Sequence, residues 1–262
     1  MIPKIIHFMW LDKKNPYVRG FPDKYRTYLS GWVRMNPDWK VVVWNYEDIE
    51  DEFPEYMDTF NKIPEWISKC DFARFLVVMK YGGVYIDMDF VPNRPFDDRV
   101  TDRSILLISE PREHAEHHKF PGLILNGLFG AEPMHPFMVG WVDQMVKNVD
   151  NFRKEWKVLN IIGPGGLYQY YIQNWADKIP LYSEDTCLFT PVLQPAIAKF
   201  KSSPCNVVES YCYTKWSEGS GWGDGKNRNI LKFLIVLTII ITLLYIFYRK
   251  YKVKNTPIIN KL

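Results

Sequence analysis

Residues 70–90, CDFARFLVVMKYGGVYIDMDF, constrain the fold of this chain more than any other stretch. An apolar run of helical length halts at Gly82-Gly83, resumes as the short run GVYI and ends on Asp87 and Asp89. A helix apolar all round must be buried, and a strand apolar on both faces must be covered on both, so this unit calls for a sheet between helical layers. Further apolar runs rich in β-branched and aromatic residues predict strands at 4–10, 39–44, 83–87, 104–108 and 125–129. Pro, Gly and Asn signals delimit helices expected over 23–35, 65–81, 136–149 and 166–175. The alternation predicts an α/β nucleotide-binding domain, a mostly parallel sheet flanked by helices, over residues 1–225.

The chain has 262 residues, with 33 Lys and Arg against 30 Asp and Glu, and its net charge of +3 misleads. Residues 230–262 hold six basic residues and no acidic one, which leaves 27 basic against 30 acidic residues in the body, about −3. A mildly acidic body speaks against nucleic-acid binding, whose affinity is built from Lys and Arg clustered on phosphates. The run FLIVLTIIITLLYIFY, residues 233–248, is free of charge, and extended back to Ile230 it makes 19 residues. As a helix that is roughly 28 Å, close to the thickness of a hydrocarbon core. A transmembrane helix is therefore expected over 230–248, after a linker at 226–229 and before a basic tail at 249–262. The first residues, MIPKIIHFMWLDKK, lack the apolar core of a signal peptide, which would leave the body cytosolic. The surplus of positive charge after the span argues for the opposite orientation, and the membrane side stays open.

Cys70, Cys187, Cys205 and Cys212 form no C-x-x-C pattern, which speaks against a zinc ribbon or thioredoxin-type site. They are either four thiols or include a Cys205 to Cys212 pair across a hairpin. His114, His117 and His118 read either as a solvated loop or as a metal-binding cluster.

In an extended strand, side chains at i and i+2 share one side, so Asp87 and Asp89 can converge on one ion. Two hard carboxylates suit Mg²⁺ or Mn²⁺; the alternative is a pair of solvated turn acids. A buried strand that delivers acids at its C-terminal end does so where open α/β sheets bind ligands. Asp71 and Arg74 lie one turn apart on the preceding helix, as a local ion pair or as contacts to sugar hydroxyls and a diphosphate oxygen.

The segments IPKIIHFMW, NPDWKVVVWN and the block D-F-A-R…Y-G-G-V-Y-I-D-M-D resemble the sugar transferases with a DXD motif. That family includes fungal α-1,6-mannosyltransferases and mannosyl inositol phosphorylceramide synthases. The resemblance is strongest over residues 2–96 and traceable to about Asp224. It implies a GT-A type nucleotide-sugar-binding domain and a retaining transferase that uses Mn²⁺ or Mg²⁺. The implied donor is a nucleotide sugar, GDP-mannose favoured over a UDP-sugar. The implied acceptor is a lipid or glycan at a membrane, such as inositol phosphorylceramide, and the implied setting is a single-pass protein of ER or Golgi membranes. Two alternatives are glycan elongation on glycoproteins and a degenerate transferase kept as a binding module or membrane scaffold.

Carried over residue by residue, the resemblance makes Trp10 the platform for the base, against its other reading as a core residue beside Ile5 and Phe8. Asn45 falls near the nucleoside, Asp71, Arg74 and Tyr85 line the donor site, Asp89 is the direct metal ligand, and Asp87 contacts ribose and metal-bound water. Asn126 and the Gly163-Pro164-Gly165-Gly166 segment approach the transferred sugar and acceptor, unless both are turns. Asp87, Asp89, Arg74 and Asn126 form the implied catalytic set. Ser220 and Trp222 would close over the diphosphate, with Glu218 as a further metal contact. The chain departs from the family pattern with Tyr211 and Tyr213 where many relatives place a His, and with an inserted Gly221.

Overall fold

The computed structural model describes residues 1–12, 20–152, 157–199, 201–216 and 238. The chain divides into one compact unit, Met1–Gly219, and a second, Ser220–Leu262. The expected span at 230–248 falls, but for residue 238, outside the described residues, among which no helix is long and apolar enough to cross a membrane.

Seven strands are present among the described residues: β1 (Ile5–Met9), β2 (Lys40–Trp44), β3 (Gly83–Ile86), β4 (Phe90–Pro92), β5 (Ile105–Leu106), β6 (Leu128–Ala131) and β7 (Cys212–Thr214). Five of them form a sheet in the order β2-β1-β3-β6-β5. Strand β1 pairs in parallel with both β2 and β3, while β6 runs antiparallel to β3 and β5. The sheet is thus mixed rather than mostly parallel. The β5 to β6 connection crosses no face with a long helix; it runs through the short helix Arg112–His118 and returns the chain antiparallel.

The helix Trp66–Tyr81 follows the 65–81 expectation, and ten of its residues are buried, including the run Asp71–Met79. Its flank of the sheet holds Phe75, Tyr85, Phe129 and Trp141, with Phe75 stacked on Phe129 at 4.2 Å. Val84 and Ile86, the alternate residues of β3, enter the opposite layer with Ile6, Phe8, Trp32 and Leu106. Every residue of β3 is buried, as a strand covered on both faces requires.

Gly82 and Gly83 turn this helix into β3 with φ of +65° and +90°, a region that side chains disfavour. A Cβ on Gly83 would also lie 2.5 Å from the Ile5 carbonyl oxygen. His7 pins the turn: its Nε2 lies 2.8 Å from the Gly82 carbonyl, and the Trp44 indole donates to its Nδ1 at 3.0 Å. The ring is therefore neutral, donating through Nε2 and accepting through Nδ1. Burial pushes its pKa down to about 4 from 6.5, against the pull of the Gly82 carbonyl. The unfolded chain then binds the extra proton between those values, so this contribution is complete above pH 6.5 and is lost as pH falls toward 4. Urea denaturation should show the stability advantage of the parent over His7→Gln shrinking by about 3 kcal/mol as pH falls across that window, at 1.36 kcal/mol per unit. A difference between the two that does not change with pH would remove His7 from the effect.

Cys187 and Cys205 are joined in a disulfide, whereas Cys212 and Cys70 are free. Both sequence readings are corrected: the four cysteines are not all free thiols, and Cys205 does not pair with Cys212, which lies in β7, paired with β4, with its thiol facing the Phe189 carbonyl. The bond ties the helix Ser183–Phe189 to the segment leading into β7 across a separation of 18 residues. Closing a loop of this size should stabilise the fold by about 3 kcal/mol, read as a lower denaturation midpoint in the Cys187→Ser, Cys205→Ser variant. An unmoved midpoint would mean that the bond carries no stability.

Candidate active site

The ends of β1, β2 and β3 lie on one edge of the sheet because these three strands are parallel. Trp10 follows β1, Asn45 follows β2 and Asp87 follows β3. Such an edge, beyond the C-terminal ends of parallel strands, is where α/β sheets bind ligands.

Asp87-Met88-Asp89 is not extended strand. The Phe90 amide donates to the Asp87 carbonyl at 3.1 Å, closing a turn between β3 and β4. The reason is long-range: β4 pairs with β7 in a separate two-stranded sheet, so the chain must reverse at the acidic pair. Both carboxylates are half-buried and Met88 between them is buried.

Behind the turn lies a charged network. The Arg74 guanidinium, 4% exposed, sits 3.1 Å from Asp71 Oδ1 through Nη2 and 3.3 Å from Asp87 Oδ1 through Nη1. It also donates to the Asn126 carbonyl at 2.7 Å and the Cys70 carbonyl at 3.3 Å, with its charge 4.8 Å from the Tyr85 ring centre. The Asn126 amide donates to Asp71 Oδ1 at 2.9 Å, and the Tyr85 hydroxyl donates to Asp87 Oδ1 at 2.7 Å. Asp71, Arg74, Tyr85, Asp87 and Asn126 are thus gathered into one hydrogen-bonded set. Asp71 and Arg74 do form the local ion pair, and the same guanidinium reaches Asp87.

Asp89 stands apart from that set. Its Oδ2 accepts from the Thr214 hydroxyl at 3.1 Å, and its carbonyl accepts from the Lys215 amide at 3.2 Å. Burial pushes both Asp71 and Asp89 up to about 6; Arg74 opposes the rise at Asp71, while the Asp87 charge adds to it at Asp89. Thr214 was not foreseen, because a threonine 125 residues downstream leaves no local pattern that points to Asp89.

Trp10 is half-buried and lines a cavity of about 530 Å³ with Phe21, Trp44, Asn45 and Asp51. Its ring centre is 5.6 Å from that of Tyr25. Asn45 caps the helix Tyr46–Glu52 in a reciprocal pair with Asp48. Gly163 to Gly166 is no open loop: Gly163 is the N-cap and the rest opens the buried start of the helix Pro164–Asn174. The Ile124 amide donates to the Pro164 carbonyl at 3.3 Å, which ties that helix to the segment before Asn126. Glu218, Ser220 and Trp222 lie outside the described residues.

The histidines correct another expectation. They sit on the helix Arg112–His118 rather than in a solvated loop, and His114 is fully buried. Its Nδ1 pairs with Glu110 Oε2 at 2.9 Å and its Nε2 accepts from the Gln194 amide at 3.1 Å, so neither nitrogen is open to a metal.

Residues 22–106 match the family model described as glycosyltransferase sugar-binding region containing DXD motif. Over this segment the chain is similar to the DXD-motif region of a sugar transferase family. The matched segment holds Asp71, Arg74, Tyr85, Asp87 and Asp89, whereas Trp10 and Asn126 fall on either side of it. A mannosyl phosphorylinositol ceramide synthase of Saccharomyces cerevisiae is 25% identical over 96% of this chain and 60% of its own length. Inositol phosphoceramide mannosyltransferase 1 of Schizosaccharomyces pombe is 28% identical over 58% of this chain and 44% of its own. The chain spans about half the length of these curated relatives. Among solved structures, the PaToxG glycosyltransferase has a TM-score of 0.47 and 18% identity, covering 66% of this chain and 70% of that one.

Proposed function

We propose that this chain is a metal-dependent, retaining glycosyltransferase of GT-A type. It moves mannose from GDP-mannose to a membrane-associated acceptor such as inositol phosphorylceramide. The observation that carries this reading is the Asp87–Asp89 turn, braced by Arg74, Tyr85 and Thr214, on the sheet edge that also bears the Trp10 cavity. The matched family and the names of the mannosyltransferase relatives support the reaction and the acceptor class.

The donor set fits a divalent ion. Mg²⁺ and Mn²⁺ take oxygen ligands and are bound through one or two carboxylates together with substrate phosphates, and Asp89 and Asp87 offer two half-buried carboxylates in one turn. Asp89 would hold the ion, Asp87 would hold the ribose side, and Glu218 could add a ligand. When bound, the ion supplies neutralisation of the leaving diphosphate. The chain does the remaining work. Arg74, with Asp71 and Asn126 behind it, fixes the Asp87 carboxylate before donor arrives, so little reorganisation is left for the reaction. Trp10 offers an aromatic face for the base. Asp51 in the cavity lining offers a carboxylate to the N–H donor groups of guanine, while Asp48 and Glu52 are already engaged, by the Asn45 amide and by Lys80 and Tyr81. Ser220 and Trp222 would close over the diphosphate and exclude water.

The 230–248 span would hold the protein in ER or Golgi membranes. The Cys187–Cys205 disulfide favours an oxidising lumen for the body, in accord with a basic tail kept in the cytosol.

The test is release of nucleoside diphosphate by the full chain in detergent, from GDP- and UDP-sugars, with and without Mn²⁺ and inositol phosphorylceramide. Turnover of GDP-mannose that needs both metal and lipid is expected. Turnover of a UDP-sugar alone would overturn the donor, and nucleotide binding without turnover on any donor or acceptor would favour the binding-module reading.

A further inference from the structure

We propose that Gly127 is a positioning residue for the DXD turn, its missing side chain admitting the Asp87 carboxylate into the one placement that reaches both Tyr85 and Arg74. This rests on the reading of Asp87 and Asp89 as a metal and donor site.

Gly127 grips Asp87 from two sides. Its carbonyl accepts the Asp87 amide at 2.8 Å, extending the β3–β6 pairing by one step beyond Ile86 and Leu128. Its Cα then faces the side chain: a Cβ there would lie 2.7 Å from Asp87 Oδ2 and 3.4 Å from both Asp87 Cγ and Phe90 Cε2. The positive-φ glycines among the described residues are Gly20, Gly82 and Gly83, so the Gly127 backbone is one that any residue can adopt. The demand for glycine is therefore one of space, and the atom that claims the space is a carboxylate oxygen. Asp87 cannot yield freely. Swinging away from a methyl group would part Oδ1 from the Tyr85 hydroxyl at 2.7 Å and from Arg74 at 3.3 Å. The preceding residue completes the clamp, since Asn126 holds Asp71 with its amide and Arg74 with its carbonyl. Two successive residues ahead of β6 thus set every charge behind the turn.

Gly130 supplies the control. It lies in β6 without a positive φ, and a Cβ there would meet the Gly83 carbonyl at 2.9 Å and Val84 Cγ2 at 3.1 Å, crowding the sheet without touching a carboxylate. In thermal melts of the full chain against Mn²⁺, Gly127→Ala should raise the half-saturating concentration roughly 10-fold to 100-fold, as loss of an outer-shell support does. Gly130→Ala should lower the melting temperature with the half-saturating concentration unchanged. A Gly127→Ala protein that binds Mn²⁺ like the parent would overturn the proposal, as would an equal loss in Gly130→Ala.

A second measurement needs no metal. In an Asp87→Ala background the added methyl group meets no carboxylate, so the drop in melting temperature caused by Gly127→Ala should largely vanish. An equal drop in both backgrounds would overturn the proposal even if Gly127→Ala alone folds poorly. Should the parent chain show no response to Mn²⁺, the metal reading fails, while this cycle still decides the placement of Asp87.

Discussion

Asp89→Asn is expected to remove most of the turnover while leaving the protein at least as stable as the parent. The substitution keeps an oxygen for the Thr214 hydroxyl and removes a charge that burial and the neighbouring Asp87 both disfavour. The folded pKa of Asp89, about 6, lies above its ordinary 3.8, so its favourable contribution is present below 3.8 and lost as pH rises through 6. At neutral pH the ionised group therefore costs stability, and the amide should recover roughly 1–3 kcal/mol of it. Turnover should fall on the order of a thousandfold, about 4 kcal/mol of transition-state stabilisation, because the leaving diphosphate loses its counter-charge. The upward shift in melting temperature with Mn²⁺ should vanish with it. In the parent chain the half-saturating Mn²⁺ concentration should rise about tenfold per pH unit below pH 6, since the ion needs the deprotonated group. Retained turnover in Asp89→Asn, or a Mn²⁺ response indifferent to pH between 5 and 7, would remove Asp89 from the metal site.

The helix–glycine–strand unit at the centre of this site was legible because its signals are local. The apolar run of Trp66–Tyr81, the two glycines and the buried β3 each follow from composition within a few residues. The turn at Asp87 was misread as extended strand because its cause is distant, the pairing of β4 with β7. Likewise, the strand expected at 125–129 is found at Leu128–Ala131, since Asn126 is occupied by Asp71 and Arg74 of the helix Trp66–Tyr81. Spacing among the four cysteines left both free thiols and a Cys205 to Cys212 pair open; the pair that forms bridges Cys187 and Cys205, which only the fold brings together. His114 was invisible as a buried group because its partner Gln194 lies 80 residues away. What escaped the sequence is thus a set of long-range polar contacts, which leave no periodicity behind.

Arg74→Leu should be the most destabilising single change at the site, and its cost should belong to Asp71 rather than to Asp87. Both carboxylates pair with the guanidinium, but Asp71 is 4% exposed and Asp87 35% exposed. Water can take over the solvation of Asp87, whereas Asp71 would be left buried with only the Asn126 amide as a partner. Removing one member of a buried pair costs about 3–5 kcal/mol, against total stabilities of about 5–15 kcal/mol. Asp71→Asn in the Arg74→Leu background should restore more than half of the loss, because it removes the stranded charge and keeps an acceptor for Asn126. Asp87→Asn in the same background should restore little. The deficit should also shrink at low pH: Asp71, already pushed up to about 6, rises further without Arg74 and takes a proton, so Arg74→Leu comes closer to the parent at pH 5 than at pH 8. Equal rescue by the two amides, or a deficit that does not change with pH, would show that Arg74 stabilises the fold through packing on Tyr85 instead.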